Sequence, residues 1–159
     1  MSKYLPQNTT LQTLEGRKAR MMAKAMRDIF SGTEWLTSEQ AAARGMAVAS
    51  TRVMLKAGCA RINRWKAEKK IFAVQREGTD WYPRYQFDDD FTPVPIIKEV
   101  VHKFSASSPI EIAAWMESPN NYLDGKRPRE MLRSQKSAVL NALVMHFDDA
   151  APTATDIGS

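Results

Sequence analysis

The stretch RINRWKAEKKIFAVQREGTDWYPRYQF, from Arg61 to Phe87, decides the fold of this chain. It opens with helical spacing, because Ile62 and Trp65 can share one face of a helix. It then predicts a strand, a turn and a second aromatic strand at residues 71–74, 77–80 and 81–82. A short basic helix followed by a hairpin is typical of winged helix-turn-helix proteins, which place the helix in the major groove. The alternative is a small α+β core element with no nucleic-acid role.

The predicted reading helix runs from Ala60 to Lys70, with Ile62 and Trp65 turned inward. Arg can grip guanine O6 and N7, Asn can pair with adenine, and Lys more often meets phosphates. Arg76 lies beside the hairpin turn, where a wing touches the backbone or minor groove. We therefore predict six DNA-binding residues: Arg61, Asn63, Arg64, Lys66, Lys70 and Arg76.

A long helix is predicted upstream, from Leu11 to Phe30. One side of it is rich in Met and should pack within the chain or in a dimer. The opposite side carries four cations at spacings of three and four: Arg17, Arg20, Lys24 and Arg27. Such a stripe is either a solvated helix face or a surface that meets an anion.

The first helix of the helix-turn-helix is predicted at Ser38 to Arg44. Thr37 is a good N-cap, Gln40 completes a capping box and Gly45 is a C-cap candidate. Residues 46–58 leave two alternatives open, namely an extra helical stretch or a long irregular turn.

Composition indicates a globular protein with an uneven charge distribution, which either suits a polyanion or is a solvated surface with accidental bias. The chain has 159 residues and a net charge of +5. Residues 1–87 hold 16 Lys and Arg against 7 Asp and Glu, whereas residues 88–159 hold 7 against 11. The basic half suits DNA. The single cysteine, and the lack of a membrane-spanning apolar run or a signal-peptide pattern, predict a cytoplasmic protein.

Residues 88–95 predict a solvated hinge, because three aspartates are followed by two prolines. The predicted fold class is therefore mainly α: a helix-turn-helix-like region with a small β-hairpin, followed by a small all-helical module. The predicted domains are a DNA-binding region, a helical module and a disordered tail, at residues 1–90, 91–147 and 148–159.

No motif predicts an enzyme, a cofactor or a metal site. The chain lacks a phosphate-binding Gly loop, an HExxH motif and a CxxC motif. His102, His146 and Cys59 stand apart from one another in the sequence, without the base or ligand partners that catalysis or metal binding needs.

The segment AAWMESPNNYLDGKRPREML, from Ala113 to Leu132, resembles the toxin-binding domain of the Xre/MbcA/ParS antitoxins. That family shows a tryptophan, a short turn with Asn, then Leu-x-Gly-Lys/Arg-Arg-Pro and a short helix ending in Leu. The resemblance covers about residues 96–147. The N-terminal block is similar to the helix-turn-helix region that precedes this domain, at Trp35-Leu36-Thr37, Trp65-Lys66, residues 71–74 and Tyr82-Pro83.

The resemblance implies a type II antitoxin that neutralises a RES-domain toxin and binds its own operator DNA as an autorepressor. NAD would be the toxin's ligand, and the antitoxin would act as a homodimer or a larger hetero-oligomer. The implied partner-binding residues are Trp115, Leu123, Gly125, Arg127, Pro128 and Met131. Leu123, Gly125 and Pro128 also fit purely local roles in core, turn and helix start. The alternatives are a stand-alone DNA-binding regulator and a simple interaction module.

Overall fold

The computed structural model describes residues 6–46 and 51–150, with side chains from residue 13 to residue 149. The chain is mainly helical with a small antiparallel sheet, which confirms the predicted fold class. The N-terminal elements are α1 (Pro6–Ser31), β1 (Trp35–Leu36), α2 (Ser38–Arg44), α3 (Arg52–Ala67), β2 (Val74–Arg76) and β3 (Thr79–Pro83). Next come α4 (Ile96–Lys103), α5 (Pro109–Glu117) and α6 (Lys136–Ala150), with 3-10 turns at Arg84–Gln86, Asn121–Leu123 and Pro128–Glu130.

Helix α1 contacts the rest of the protein mainly near its C-terminal end. Ile29 is buried in the core, whereas Met22 is 65% exposed. Every described side chain from Thr13 to Ala25 is exposed except at the half-buried Gly16. Along this stretch, the Met-rich face is therefore not packed against the part of the chain that the structure describes.

Helices α2 and α3 lie at the two positions predicted for the helices of the helix-turn-helix, and they pack against each other. The capping box at Thr37 and Gln40 is present. Helix α3 begins at Arg52 rather than at Ala60, after Thr51, whose hydroxyl accepts from the Met54 amide at 3.1 Å. Gly58 lies inside this helix, and a Cβ there would press on the Ala42 side chain, so the two helices cross closely at this point. Residues 52–58 thus belong to α3, and residues 47–50 lie outside the described part.

Helix α3 ends at Ala67, so the predicted end at Lys70 is wrong. Lys69 has a φ of +60°. Its amide donates to the Lys66 carbonyl at 3.0 Å, and the Lys70 amide donates to the Trp65 carbonyl at 2.9 Å. This is a Schellman motif, in which the left-handed residue is usually Gly. Because Lys stands where Gly is usual, the sequence lacks the usual signal for the end of a helix.

The sheet has the order β1-β3-β2, and β2 and β3 form the predicted hairpin. Glu77 and Gly78 connect the strands with φ of 50° and 79°, as a two-residue type I′ turn requires. The turn is tighter than predicted, because Thr79 and Asp80 already belong to β3. The predicted strand at residues 71–74 contributes only Val74 to the ladder.

Residues 71–74 instead form a buried wall between two hydrophobic clusters. Ile71 and Ala73 pack into one cluster, and Phe72 and Val74 into the other. The fully buried Gln86 accepts from the Phe72 amide at 2.9 Å and donates to the Phe72 carbonyl at 2.8 Å. One side-chain amide thereby replaces a strand partner, and the backbone polar groups of this segment stay satisfied.

The structure shows a packed corner where the sequence predicts a solvated hinge. Phe91 and Val94 are buried, and the Val94 amide donates to the Gln86 carbonyl at 2.8 Å. Arg133 donates to the Phe87 carbonyl at 3.0 Å across the same corner. The core of the helical module also includes Phe72 and Ile29 from the N-terminal part, so one hydrophobic cluster joins the two predicted domains.

Three helices and two 3-10 turns build the C-terminal module. A capping box of Ser108 and Glu111 starts α5. Helix α6 buries Val139 and Leu143, whereas Leu140 and Val144 are exposed. Helix α6 continues to Ala150, three residues into the predicted tail, and residues 151–159 lie outside the described part.

Candidate nucleic-acid and partner surfaces

The outward face of α3 is the most open basic surface beside the hairpin. Ile62 is buried against α2, so the opposite side of the helix points away from the protein. Arg61, Asn63 and Arg64 are all exposed there. The structure therefore places the three predicted base-reading side chains together on one accessible helix face.

Arg61 and Arg64 lack acidic partners within the described part of the chain. No ion pair there includes either residue. The Arg61 guanidinium lies 5.6 Å from the centre of the half-buried Trp65 ring, close enough for a cation–π contact. That contact orients Arg61 and leaves its hydrogen-bond donors free for a ligand.

Asn63 borders a polar cleft of about 490 Å³ between the start of α2, α3 and the hairpin. The cleft is also lined by Thr37, Gln75 and Tyr82. The Tyr82 hydroxyl is buried without a hydrogen-bond partner in the described residues, and burial raises the pKa of Tyr82 to about 12. Two carboxylates, Glu39 and Asp80, also line this cleft.

Lys66 and Lys70, predicted to meet phosphates, are paired with carboxylates instead. Lys66 Nζ lies 2.6 Å from Asp80, and Lys70 Nζ lies 3.3 Å from Glu68. Both pairs are partly exposed, and such pairs contribute little to stability. A phosphate could replace either carboxylate at small cost, so their role at DNA stays a prediction.

Arg76, the last residue of β2, lies against a pair of aromatic rings. Its guanidinium lies 4.2 Å from the centre of the Phe30 ring, and the Phe30 and Trp35 rings are 4.5 Å apart. Trp35 Nε1 donates to the Ile29 carbonyl at 3.1 Å. The stack ties β2, the end of α1 and β1 into one unit.

The first half of α3 carries exposed residues that sequence reasoning missed. Arg52, Val53 and Lys56 are all exposed, and Val53 is 78% exposed. The missed signal is Thr51, a good N-cap one residue before the helix begins. The N-terminal residues of a recognition helix are those that contact bases, so this half extends the candidate surface.

The residues from Asn120 to Lys126 form a tight turn that uses its own polar groups. The Asn120 carboxamide accepts from Tyr122, and the Asn120 carbonyl accepts from Leu123 and Gly125. Asp124 and Gly125 have φ of 56° and 80°, and the Lys126 amide donates to the Leu123 carbonyl at 3.0 Å. This is the geometry of a type I′ turn. The Leu-x-Gly pattern thus has a local backbone cause.

The implied partner-binding residues differ widely in their exposure. Trp115, Leu123 and Pro128 are buried, and Met131 is half-buried. Gly125 is exposed, with open space where a Cβ would be. Arg127 is 41% exposed along its side chain. Of the six, therefore, only Gly125 and Arg127 present substantial surface to a partner.

A carboxylate beneath the turn holds two arginines. The Glu117 side chain is 12% exposed and lies 2.7 Å from Arg129 Nε and 3.3 Å from Arg127 Nε. Arg127 Nε also donates to the Glu117 carbonyl at 2.8 Å. The hydrogen bond from Arg129 raises the pKa of its guanidinium further, and the Arg127 amide lowers the pKa of the Glu130 carboxyl. These bonds fasten the 3-10 turn at Pro128 to α5.

An open cleft of about 610 Å³ lies beside this turn, between α5 and α6. Aromatic side chains form much of its wall: Phe104, Trp115, His146 and Phe147. Trp115 Nε1 is buried with no hydrogen-bond partner in the described residues. The cleft is an accessible apolar feature of the module and a candidate surface for a protein partner.

Within residues 6–46 and 51–150, no group of three or more His, Cys, Asp or Glu side chains could hold a metal ion. The helices in the same ranges include none with the length and apolar character that a membrane crossing requires. Comparison of the chain with protein families, with curated proteins and with solved structures finds no match.

Proposed function

We propose that this chain is a DNA-binding antitoxin: it binds its own operator through α3 and the β2–β3 hairpin, and a RES-domain toxin through its C-terminal module. The observation that carries the DNA-binding half is the exposed face of α3, where Arg61 and Arg64 have no acidic partner among the described residues.

The order of elements supports DNA binding. A helix, a strand, two helices and a hairpin, with the strand paired to the second hairpin strand, is the arrangement of a winged helix-turn-helix. In that arrangement the second helix of the pair enters the major groove and the hairpin lies beside it. Exposed Arg and Asn on α3 have the chemistry for guanine and adenine edges.

A salt-titrated binding assay tests the DNA-binding half, with duplexes selected from a random pool. Arg64→Gln should weaken binding by about 10- to 100-fold, as loss of a base-contacting Arg does. The salt slope is the slope of the logarithm of the binding constant against the logarithm of the salt concentration. If Arg61 contacts a phosphate, Arg61→Gln should lower the magnitude of this slope by about one unit. Lys98→Gln removes an equally exposed charge from α4 and should change neither quantity. If no duplex is bound, or if all three variants bind alike, this half of the proposal is wrong.

The toxin-binding half rests on the resemblance of residues 113–132 and on the open aromatic cleft beside them. The buried positions of Leu123 and Pro128 favour the alternative, a regulator without a toxin, because local folding alone explains them. Co-expression with a RES-domain toxin separates the two functions. Restored growth and a copurifying complex support the antitoxin, whereas a toxin that stays active beside excess protein leaves only the regulator.

A further inference from the structure

Four exposed cations lie on one side of α1. Arg17, Arg20, Lys24 and Arg27 are exposed, and only Lys24 has an acidic partner in the described residues, Asp28 at 2.9 Å. Like charges at such spacings destabilise a helix by about 0.2–0.5 kcal/mol per pair. The arrangement is therefore slightly unfavourable unless an anion lies along it.

The direction of this stripe is fixed relative to the wing. The helix ends at Phe30 and Ser31, where the Phe30 ring is held between Arg76 of β2 and Trp35 of β1. The bond from Trp35 Nε1 to the Ile29 carbonyl adds a second attachment. These contacts fix the orientation of the C-terminal end of α1 relative to the sheet.

The stripe and the wing are continuous at the surface. An open cleft of about 660 Å³ is lined by Arg27, Phe30 and Arg76. Two cations from different elements therefore face the same opening. Neither has an acidic partner in the part of the chain that the structure describes.

The length of the stripe suits a short piece of duplex. Ten residues separate Arg17 from Arg27, which is about 15 Å along a helix at 1.5 Å per residue. A duplex rises about 3.4 Å per base pair, so the stripe covers about four base pairs. Those base pairs would lie beyond the wing, outside the site contacted by α3.

We propose that α1 is a second DNA-contact element: Arg17, Arg20 and Arg27, continued by Arg76, bind the phosphate backbone that flanks the site read by α3. This inference rests on the proposed DNA-binding function. The contacts are to phosphates only, so they add affinity and salt dependence without adding sequence preference. The duplex backbone supplies the anions that the cation stripe lacks.

The test replaces Arg17, Arg20 and Arg27 by Gln in one variant of the full chain. On a long duplex, the salt slope should fall by up to about 2.7 units, or about 0.9 per phosphate contact, and sequence preference should not change. On a duplex cut back to the α3 site, the variant and the parent should bind alike. A matched control replaces Lys98, Lys103 and Lys136, which are equally exposed on α4 and α6.

The outcomes separate the two proposals. If the parent chain binds no duplex, the proposed function itself fails. If α3 variants lose binding but the α1 triple variant matches its control on the long duplex, the second contact element is wrong. Preferential loss of binding to single-stranded RNA or to anionic vesicles would also overturn it, because the stripe would then serve another polyanion. An unchanged melting temperature confirms that the variant is folded.

Discussion

The exposed face of α3 and the turn from Asn120 to Pro128 are the two regions that the sequence singles out, and they treat their polar groups in opposite ways. On α3, Arg64 is exposed and no ion pair in the described residues includes it. In the turn, the Asn120 carboxamide and the Arg127 side chain are bonded within the chain. One region offers donors to a ligand, and the other uses its donors to fold.

The difference separates binding from stability. Substituting an exposed side chain without partners usually changes the free energy of unfolding by less than about 0.5 kcal/mol. Removing a buried or internally bonded group costs more, because it leaves a cavity or an unpaired polar atom. The comparison therefore predicts that α3 variants lose DNA affinity and keep their free energy of unfolding. Turn variants should lose stability and keep DNA binding as long as they remain folded.

The largest expected effect is at Leu123. Its side chain is 5% exposed in the core of the module. Leu123→Ala should lower the free energy of unfolding by about 3 kcal/mol, since buried Leu to Ala changes cost 2–5 kcal/mol. Urea denaturation measures it, and Arg64→Ala is the matched control, expected to stay within about 0.5 kcal/mol. If both variants lost the same free energy of unfolding, the proposed difference between the two regions would be wrong.

The second-largest loss of stability is expected at Glu117. Glu117→Gln keeps the shape of the side chain but removes the charge that holds Arg129 at 2.7 Å. We expect a loss of about 2 kcal/mol, typical of hydrogen bonds to a charged group. The chain also provides a control at lower burial, because Arg44 and Glu34 form a pair at 2.9 Å with Glu34 about half-exposed, at 48%. Glu34→Gln should cost less than Glu117→Gln, because solvent screens an exposed ion pair. A larger loss at Glu34 than at Glu117 would contradict the role of burial.

These expectations show which parts of the fold can be predicted from sequence. The capping boxes at Thr37 and Ser108 and the hairpin turn at Gly78 are local, because the residues that form them are near neighbours in the chain. The capping box at Thr37 was predicted correctly, and the predicted hairpin turn was longer than the turn in the structure, because Thr79 and Asp80 belong to β3. The Leu-x-Gly turn is equally local, and its two left-handed residues account for the pattern without any partner.

The missed features depend on contacts that are distant in sequence. The sequence left residues 46–58 open between an extra helical stretch and a long irregular turn, and the close packing of Gly58 against Ala42 lies inside helix α3. Lys69 ends that helix in a conformation that usually calls for Gly. Three aspartates and two prolines suggested a hinge, yet Phe91 and Val94 bury this segment against both parts of the chain. No local pattern contains that information.

The candidate site shows the same division. The exposure of Arg61, Asn63 and Arg64 follows from helical period once Ile62 is placed in the core. The pairing of Lys66 with Asp80 could not be predicted, because it depends on where the hairpin folds back against α3. The junction of Arg27 with Arg76 also depends on how α1 and the wing pack.

The smallest expected effect is at Gly125, which is exposed like the α3 residues but belongs to the turn. Its φ is +80°, and no atom lies within 4 Å of the position a Cβ would take. The cost of Gly125→Ala is therefore conformational alone, about 1 kcal/mol in the free energy of unfolding. Gly125→Asn should cost less, because Asn adopts the left-handed region more readily than Ala.

The same pair of variants decides whether this glycine also contacts a partner. With a purely local role, affinity for a RES-domain toxin should follow stability, so that the Asn variant binds better than the Ala variant and nearly as well as the parent. With a contact role, both variants lose affinity to a similar degree, because either side chain fills the open space above the turn. A stable Asn variant that fails to bind the toxin would therefore show that Gly125 contacts the partner and does not serve the local fold alone.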